Sequence, residues 1–110
     1  MPANPRSAHR SVPVFAALGD ETRLHLVEKL SAEGSLSVTR LTEDTALTRQ
    51  AITKHLRVLE GAGLVTGAKH GRELQFTLVH DRLAQAREDL AALSAQWDDA
   101  IQRLRAFVES

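Results

Sequence analysis

The chain has 110 residues and a mass of 12.1 kDa, the size of one domain. Apolar residues make up 43% and charged residues 25%, there is no cysteine, and no stretch approaches the roughly 18 consecutive apolar residues of a membrane span. These features exclude a disordered chain, a disulfide scaffold, a thiolate metal or redox site, a cysteine nucleophile and a transmembrane helix.

Residues 1–11 hold Pro2, Asn4, Pro5, Arg6 and Arg10 and little that could enter a core, so a flexible arm is expected there. The arm has no apolar segment of the kind a signal peptide carries, and the expected location is cytoplasmic. A short apolar helix follows from Val12 to Leu18, with Pro13 tolerated in its first turn. Asp20 caps a second helix, Glu21 favours its dipole, Leu24, Val27 and Leu30 recur at helical spacing, and Gly34 ends it. Ser37 caps a third, short helix with Val38 and Leu41 on its inner side. Thr45, Ala46 and Leu47 make a tight connection, and Thr48 caps a fourth helix running to about Ala62.

The fourth helix sorts its residues by face. Ile52, Leu56 and Leu59, at i, i+4 and i+7, point inward, while Arg49, Gln50, Thr53, Lys54, Arg57 and Glu60 point outward. His55, between inward neighbours, is expected to hold this helix against the domain. Lys54 and Arg57 lie within helical reach of Glu60. Past Gly63 the period changes from 3.6 to 2. Leu64, Val65 and Thr66 lead to Lys69, His70, Gly71 and Arg72, and then Leu74, Phe76 and Leu78 alternate with polar residues. This pattern predicts a hairpin with Gly71 near its tip.

Asp81 is expected to cap a last helix reaching about Glu109. No Pro or Gly interrupts it, so it would be about 43 Å long. A domain of some 80 residues is only about 30 Å across, so the helix must overhang. Leu83, Ala86, Leu90, Leu93, Trp97, Ala100, Leu104 and Phe107 nevertheless continue along it at alternating spacings of 3 and 4, with Ile101 and Val108 widening the stripe. The simplest way to bury an overhanging apolar stripe is the same helix of a second copy. The expected dimer interface therefore takes Phe15 from the first helix with Leu83, Leu90, Leu93, Trp97, Ile101, Leu104 and Phe107 from the last.

The net charge is zero, but it is unevenly placed. Residues 46–72 carry Arg49, Lys54, Arg57, Lys69 and Arg72 against Glu60 alone, a balance of +4, whereas residues 81–110 carry −2. Two short helices joined by a tight turn, the second with a basic and amide-rich outer face, make a helix-turn-helix, and a following hairpin makes it winged. Such a helix fits the major groove of B-DNA, where Arg can donate twice to guanine and Gln can bond adenine at both edge positions. Thr48 and Thr53 are short enough to reach phosphates or a thymine methyl. Lys54 and Arg57 would meet backbone, and the tip with Lys69, His70 and Arg72 is long enough for the flanking minor groove.

The expected fold is thus mainly α with a small β-hairpin: a winged helix-turn-helix in the order α-α-α-α-β-β-α with a long C-terminal dimerisation helix. Residues 1–11 form the arm, 12–80 the DNA-binding domain and 81–110 the dimerisation helix.

The runs carrying these features resemble one family. Ala17-Leu18-Gly19-Asp20-Glu21-Thr22-Arg23 is similar to the opening "ALxDxTR" of the ArsR-type winged-helix repressors. The run from Leu47 to Leu59 resembles their recognition helix, "LSxxAxSKHLxxL", Ala62-Gly63-Leu64-Val65 matches "AGLV", and Gly71-Arg72 stands at the usual wing tip. The resemblance implies a homodimeric transcriptional repressor on palindromic double-stranded DNA. It also implies the branch without the family's metal sites. The stretch that carries a "CVC"-like motif in metal sensors is here Ser35 to Leu41, without a ligand. On the last helix Asp81 is followed by Leu83, and no His follows His80. No metal or cofactor is expected, and no effector is named by these residues. Arg40, where the family often has an acid, is counted among the candidate phosphate contacts. The alternative reading is a winged helix used for dimerisation or protein docking without specific DNA binding. An enzyme is disfavoured, since no Gly-rich phosphate loop, paired-carboxylate motif or His-rich ligand set is present.

Overall fold

The computed structural model describes residues 9–109. Its elements are α1 (Val12–Leu18), α2 (Glu21–Glu33), β1 (Leu36–Ser37), α3 (Val38–Thr42), α4 (Arg49–Gly61), β2 (Val65–His70), β3 (Glu73–Leu78) and α5 (His80–Glu109). Local chemistry accounts for most of the boundaries. The carboxylate of Asp20 accepts the Arg23 backbone N–H at 3.0 Å, Ser37 Oγ accepts that of Arg40 at 3.1 Å, and Thr48 Oγ1 accepts that of Ala51 at 3.1 Å. Each side chain satisfies an amide that has no partner inside its helix. The hairpin turns at Gly71, whose φ of 66° is a conformation side chains other than glycine's seldom take.

Three expectations are revised. The sheet has three strands in the order β1-β3-β2, because Leu36 and Ser37 pair antiparallel with Phe76 and Gln75. A two-residue strand has no periodicity of its own and exists only because β3 offers an edge. Asp81 is not the cap of the last helix but lies within its first turn, since α5 begins at His80. Residues 9–11, expected to belong to a flexible arm, form a 3-10 turn in which Ser11 is fully buried; the rest of the expected arm, residues 1–8, lies outside the described part of the chain.

The core is formed where α2, α3 and α4 meet the sheet. Leu26, Leu30, Leu41, Ile52, Leu56, Leu59, Leu64 and Phe76 are all completely shielded, joined by Val14 from α1. Along β2 and β3 the register sets Val65 opposite Leu78, Gly67 opposite Phe76 and His70 opposite Glu73. Gly67 is a glycine for reasons of space: a Cβ there would stand 2.8 Å from Cε1 of the buried Phe76 ring.

Only the beginning of α5 joins this head. Ala86 and Asp89 are buried, and Leu83 packs partly against the core. The 30-residue helix then runs on, giving the molecule extents of 67 × 30 × 21 Å.

Candidate nucleic-acid interface

The turn between α3 and α4 is braced from two sides. Thr45 closes it locally: its backbone N–H and its hydroxyl both donate to the Thr42 carbonyl, at 3.0 and 3.1 Å, and its Oγ1 accepts the Leu47 N–H at 3.2 Å. From α2, the nearly buried ammonium of Lys29 pairs with Asp44 and donates to the Arg40 carbonyl at 3.4 Å. That hydrogen bond and charge hold the Asp44 carboxyl below its ordinary range. Lys29 and Asp44 carried no signal in the sequence, because they become neighbours only when α2 packs beside the turn.

On α4 the inward face is buried as expected, and His55 is tied to the preceding helices. His55 Nδ1 lies 3.4 Å from Arg23 Nη1 and 3.8 Å from Asp20 Oδ2, while Arg23 Nε donates to the Ala17 carbonyl at 2.7 Å. The recognition helix is thereby fastened to the α1–α2 corner. Its outer face is divided. Thr48, Arg49, Gln50 and Lys54 are exposed, and the side chains of Arg49, Gln50 and Lys54 make no ion pair or hydrogen bond among the described residues. Thr53 is half-buried, and its hydroxyl donates to the Arg49 carbonyl at 2.8 Å.

The other end of α4 is committed to the wing. Arg57 Nη1 donates to Glu60 Oε1 at 2.8 Å, and its guanidinium carbon sits 5.5 Å from the centre of the Phe76 ring. Glu60 Oε2 accepts the Gly67 N–H of β2 at 3.1 Å. The Arg57 bond first, and the Gly67 amide with it, keep the Glu60 carboxyl below its usual range. Sequence spacing foresaw the Arg57–Glu60 pair but not that Glu60 bridges helix and wing. At the wing tip Lys69, His70 and Arg72 are exposed and without side-chain partners among the described residues. Arg40 differs from these cations: it donates to Glu43 at 2.9 Å and pairs with Glu33 at 3.6 Å, so two carboxylates already neutralise it.

A helix-turn-helix domain model matches residues 18–68, which is α2 through most of β2. The HTH-type transcriptional regulator YuzN of Bacillus subtilis is 46% identical over 65 residues, covering 54% of this chain and 71% of that protein. The HTH-type transcriptional regulator Rv2034 of Mycobacterium tuberculosis is 40% identical over 76 residues, 69% of this chain and 70% of that one. Among solved structures, an ArsR-like transcriptional regulator from Rhodococcus sp. RHA1 superposes with a TM-score of 0.76 at 32% identity, covering 90% of this chain and 92% of that one. The chain belongs to the ArsR-type winged helix-turn-helix transcriptional regulators.

As an ArsR-type regulator it is a DNA-binding protein. Among the described residues no group of three or more His, Asp or Glu is placed to hold a metal ion. Among the described residues no helix is long and apolar enough to cross a membrane.

A second surface lies on α5. Leu90 is 53%, Leu93 45%, Trp97 67%, Ile101 39%, Leu104 63% and Phe107 80% exposed. Leu90, Leu93, Trp97 and Ala100 line one open groove, and Phe15 and Leu18 of α1 line another with Leu83, Ala86 and Leu90. Of the residues expected at a dimer seam, Phe15, Leu83, Leu90, Leu93 and Trp97 thus line two grooves that share Leu90, and Ile101, Leu104 and Phe107 are exposed further along α5.

Proposed function

We propose that the protein is a homodimeric, cytoplasmic transcriptional repressor without enzymatic activity. Residues 12–80 act as its DNA-binding unit and 81–110 as its dimerisation helix. In this reading two α4 helices enter successive major grooves about 34 Å apart and read the half-sites of a palindrome. Thr48, Arg49, Gln50 and Thr53 face the bases. Lys54, Arg57, Lys69, His70 and Arg72 supply the phosphate and minor-groove contacts. Arg40 would have to exchange its two carboxylates for a phosphate, so it contributes least.

One observation carries the reading. The first turns of α4 present a guanidinium and a carboxamide with no partner of their own, on a helix whose opposite face is wholly buried. Uncompensated planar donors on a rigid element suit base-edge recognition. The dimer is supported by the exposed α5 stripe: each Leu-sized side chain removed from water is worth roughly 1.5–3 kcal/mol.

Selection of bound duplexes from a randomised pool tests this. A palindrome with half-sites one helical turn apart is expected. Gln50→Ala should weaken binding to the recovered duplex by about 1–3 kcal/mol and relax preference at one position of each half-site. Unchanged affinity and preference in a titration would remove Gln50 from the reading surface.

A further inference from the structure

Thr53 stands one turn beyond Arg49 and Gln50 on the same face of α4, where the next base along a groove would lie. A threonine offers DNA two different things, a hydroxyl and a methyl. The structure decides which is available. A hydroxyl has a single proton, and that of Thr53 is already given to the Arg49 carbonyl, at 2.8 Å. This back-bond selects one of the two rotamers open to a helical threonine and turns Oγ1 onto the preceding turn. Phosphate oxygens only accept, so a hydroxyl without a spare proton has nothing to offer them. The Cγ2 methyl takes the other staggered position.

We infer that Thr53 is a specificity-determining residue that reads the 5-methyl group of a thymine in each half-site through apolar contact. Thymine is the only standard base with a methyl in the major groove, so this contact separates T·A from the other pairs at that step. The inference rests on the proposal that α4 enters the major groove, and goes beyond it by naming the base and the atom.

The test uses the full-length protein and the duplex it recovers from the randomised pool. Each thymine of the half-site is replaced in turn by deoxyuridine, which removes only the methyl. At one position per half-site the wild-type protein should bind about fourfold more weakly, the effect of burying one methyl-sized apolar group. Thr53→Ser keeps the hydroxyl and its back-bond but lacks the methyl, and should bind thymine and uracil duplexes equally. Thr53→Val keeps the methyl and should retain the discrimination.

A merely structural role for Thr53 would change affinity for both duplexes alike and leave their ratio untouched. Equal thymine-to-uracil ratios in wild type and Thr53→Ser would therefore overturn the inference, as would a wild type indifferent to uracil at every position. If Arg49→Ala and Gln50→Ala still weaken binding in that case, only the thymine assignment falls. If they too leave binding unchanged, or the pool yields no preferred sequence, the groove-reading proposal falls and this inference with it.

Discussion

The two halves of α5 are one uninterrupted helix in two different surroundings. Up to Asp89 it is woven into the head. Arg82 Nη2 donates to the Arg10 carbonyl at 2.9 Å, and its Nε to the Ala62 carbonyl at the end of α4 at 3.4 Å. The fully buried Asp89 carboxylate accepts from Ser11 at 2.5 Å, Gln85 at 2.9 Å and Arg10 at 3.4 Å. From Leu90 onward the same helix turns leucines, Trp97 and Phe107 to the solvent. Helix propensity cannot explain both halves, since neither Gly nor Pro occurs in either. The first half is held by its own chain. The second carries apolar surface that a second copy would cover, so its stability should depend on protein concentration while that of the head should not.

The most severe way to break this contrast is Leu90→Asp combined with Leu104→Asp. The pair should yield monomers by sedimentation or light scattering and abolish tight operator binding in mobility shifts, with the circular dichroism of the head retained. Monomers that bind the full palindrome as tightly as wild type would contradict the two-half-site reading. A smaller effect probes the head alone. Leu56→Ala opens a cavity in a completely buried site and should cost about 2–5 kcal/mol in denaturant titrations. That loss should be the same at low and high protein concentration; a loss that shrinks with concentration would show that the head, too, leans on a partner.

The smallest effect concerns the junction between the halves. The Ser11 hydrogen bond, foremost among its donors, holds the Asp89 carboxyl below its ordinary value of 3.8. A carboxyl whose folded value is depressed stabilises the fold fully above its unfolded value, and that stabilisation is lost as pH falls through the folded value. Ser11→Ala removes the strongest of those donors. It should lower Tm by a few degrees at neutral pH, and acid unfolding should begin at higher pH than in wild type. An unchanged acid limb in thermal melts across pH 2–5 would show that Asp89 is not the group that titrates there.

Much of the head was readable beforehand because its signals are local. Asp20, Ser37 and Thr48 cap helices through bonds spanning three residues, and Gly71 turns a hairpin whose strands alternate visibly. The division of the recognition helix into inner and outer faces followed from a 3.6-residue period alone. What stayed hidden was every contact made across the fold. β1 needs the edge of β3, some 40 residues away. Lys29 and Asp44 brace the turn from different elements. Ser11 and Arg10 looked like part of a loose arm because nothing near them in the chain announces Asp89. The candidate interface shows the same limit: all its cations and the Arg57–Glu60 pair were visible in the sequence, but not that Arg40 is held by Glu33 and Glu43 or that Glu60 also reaches the wing.

The amino-acid order by itself determined the type and succession of the helices and strands, the family, and the strip of basic residues in the middle of the chain. These depend on caps, periods and turns that act within a few residues. The tertiary structure alone decided that Lys29 braces the turn through Asp44, that Ser11 and Arg10 anchor Asp89, and where α5 leaves its own domain. Those outcomes depend on distances between groups remote in sequence, and such distances do not exist until the core has closed.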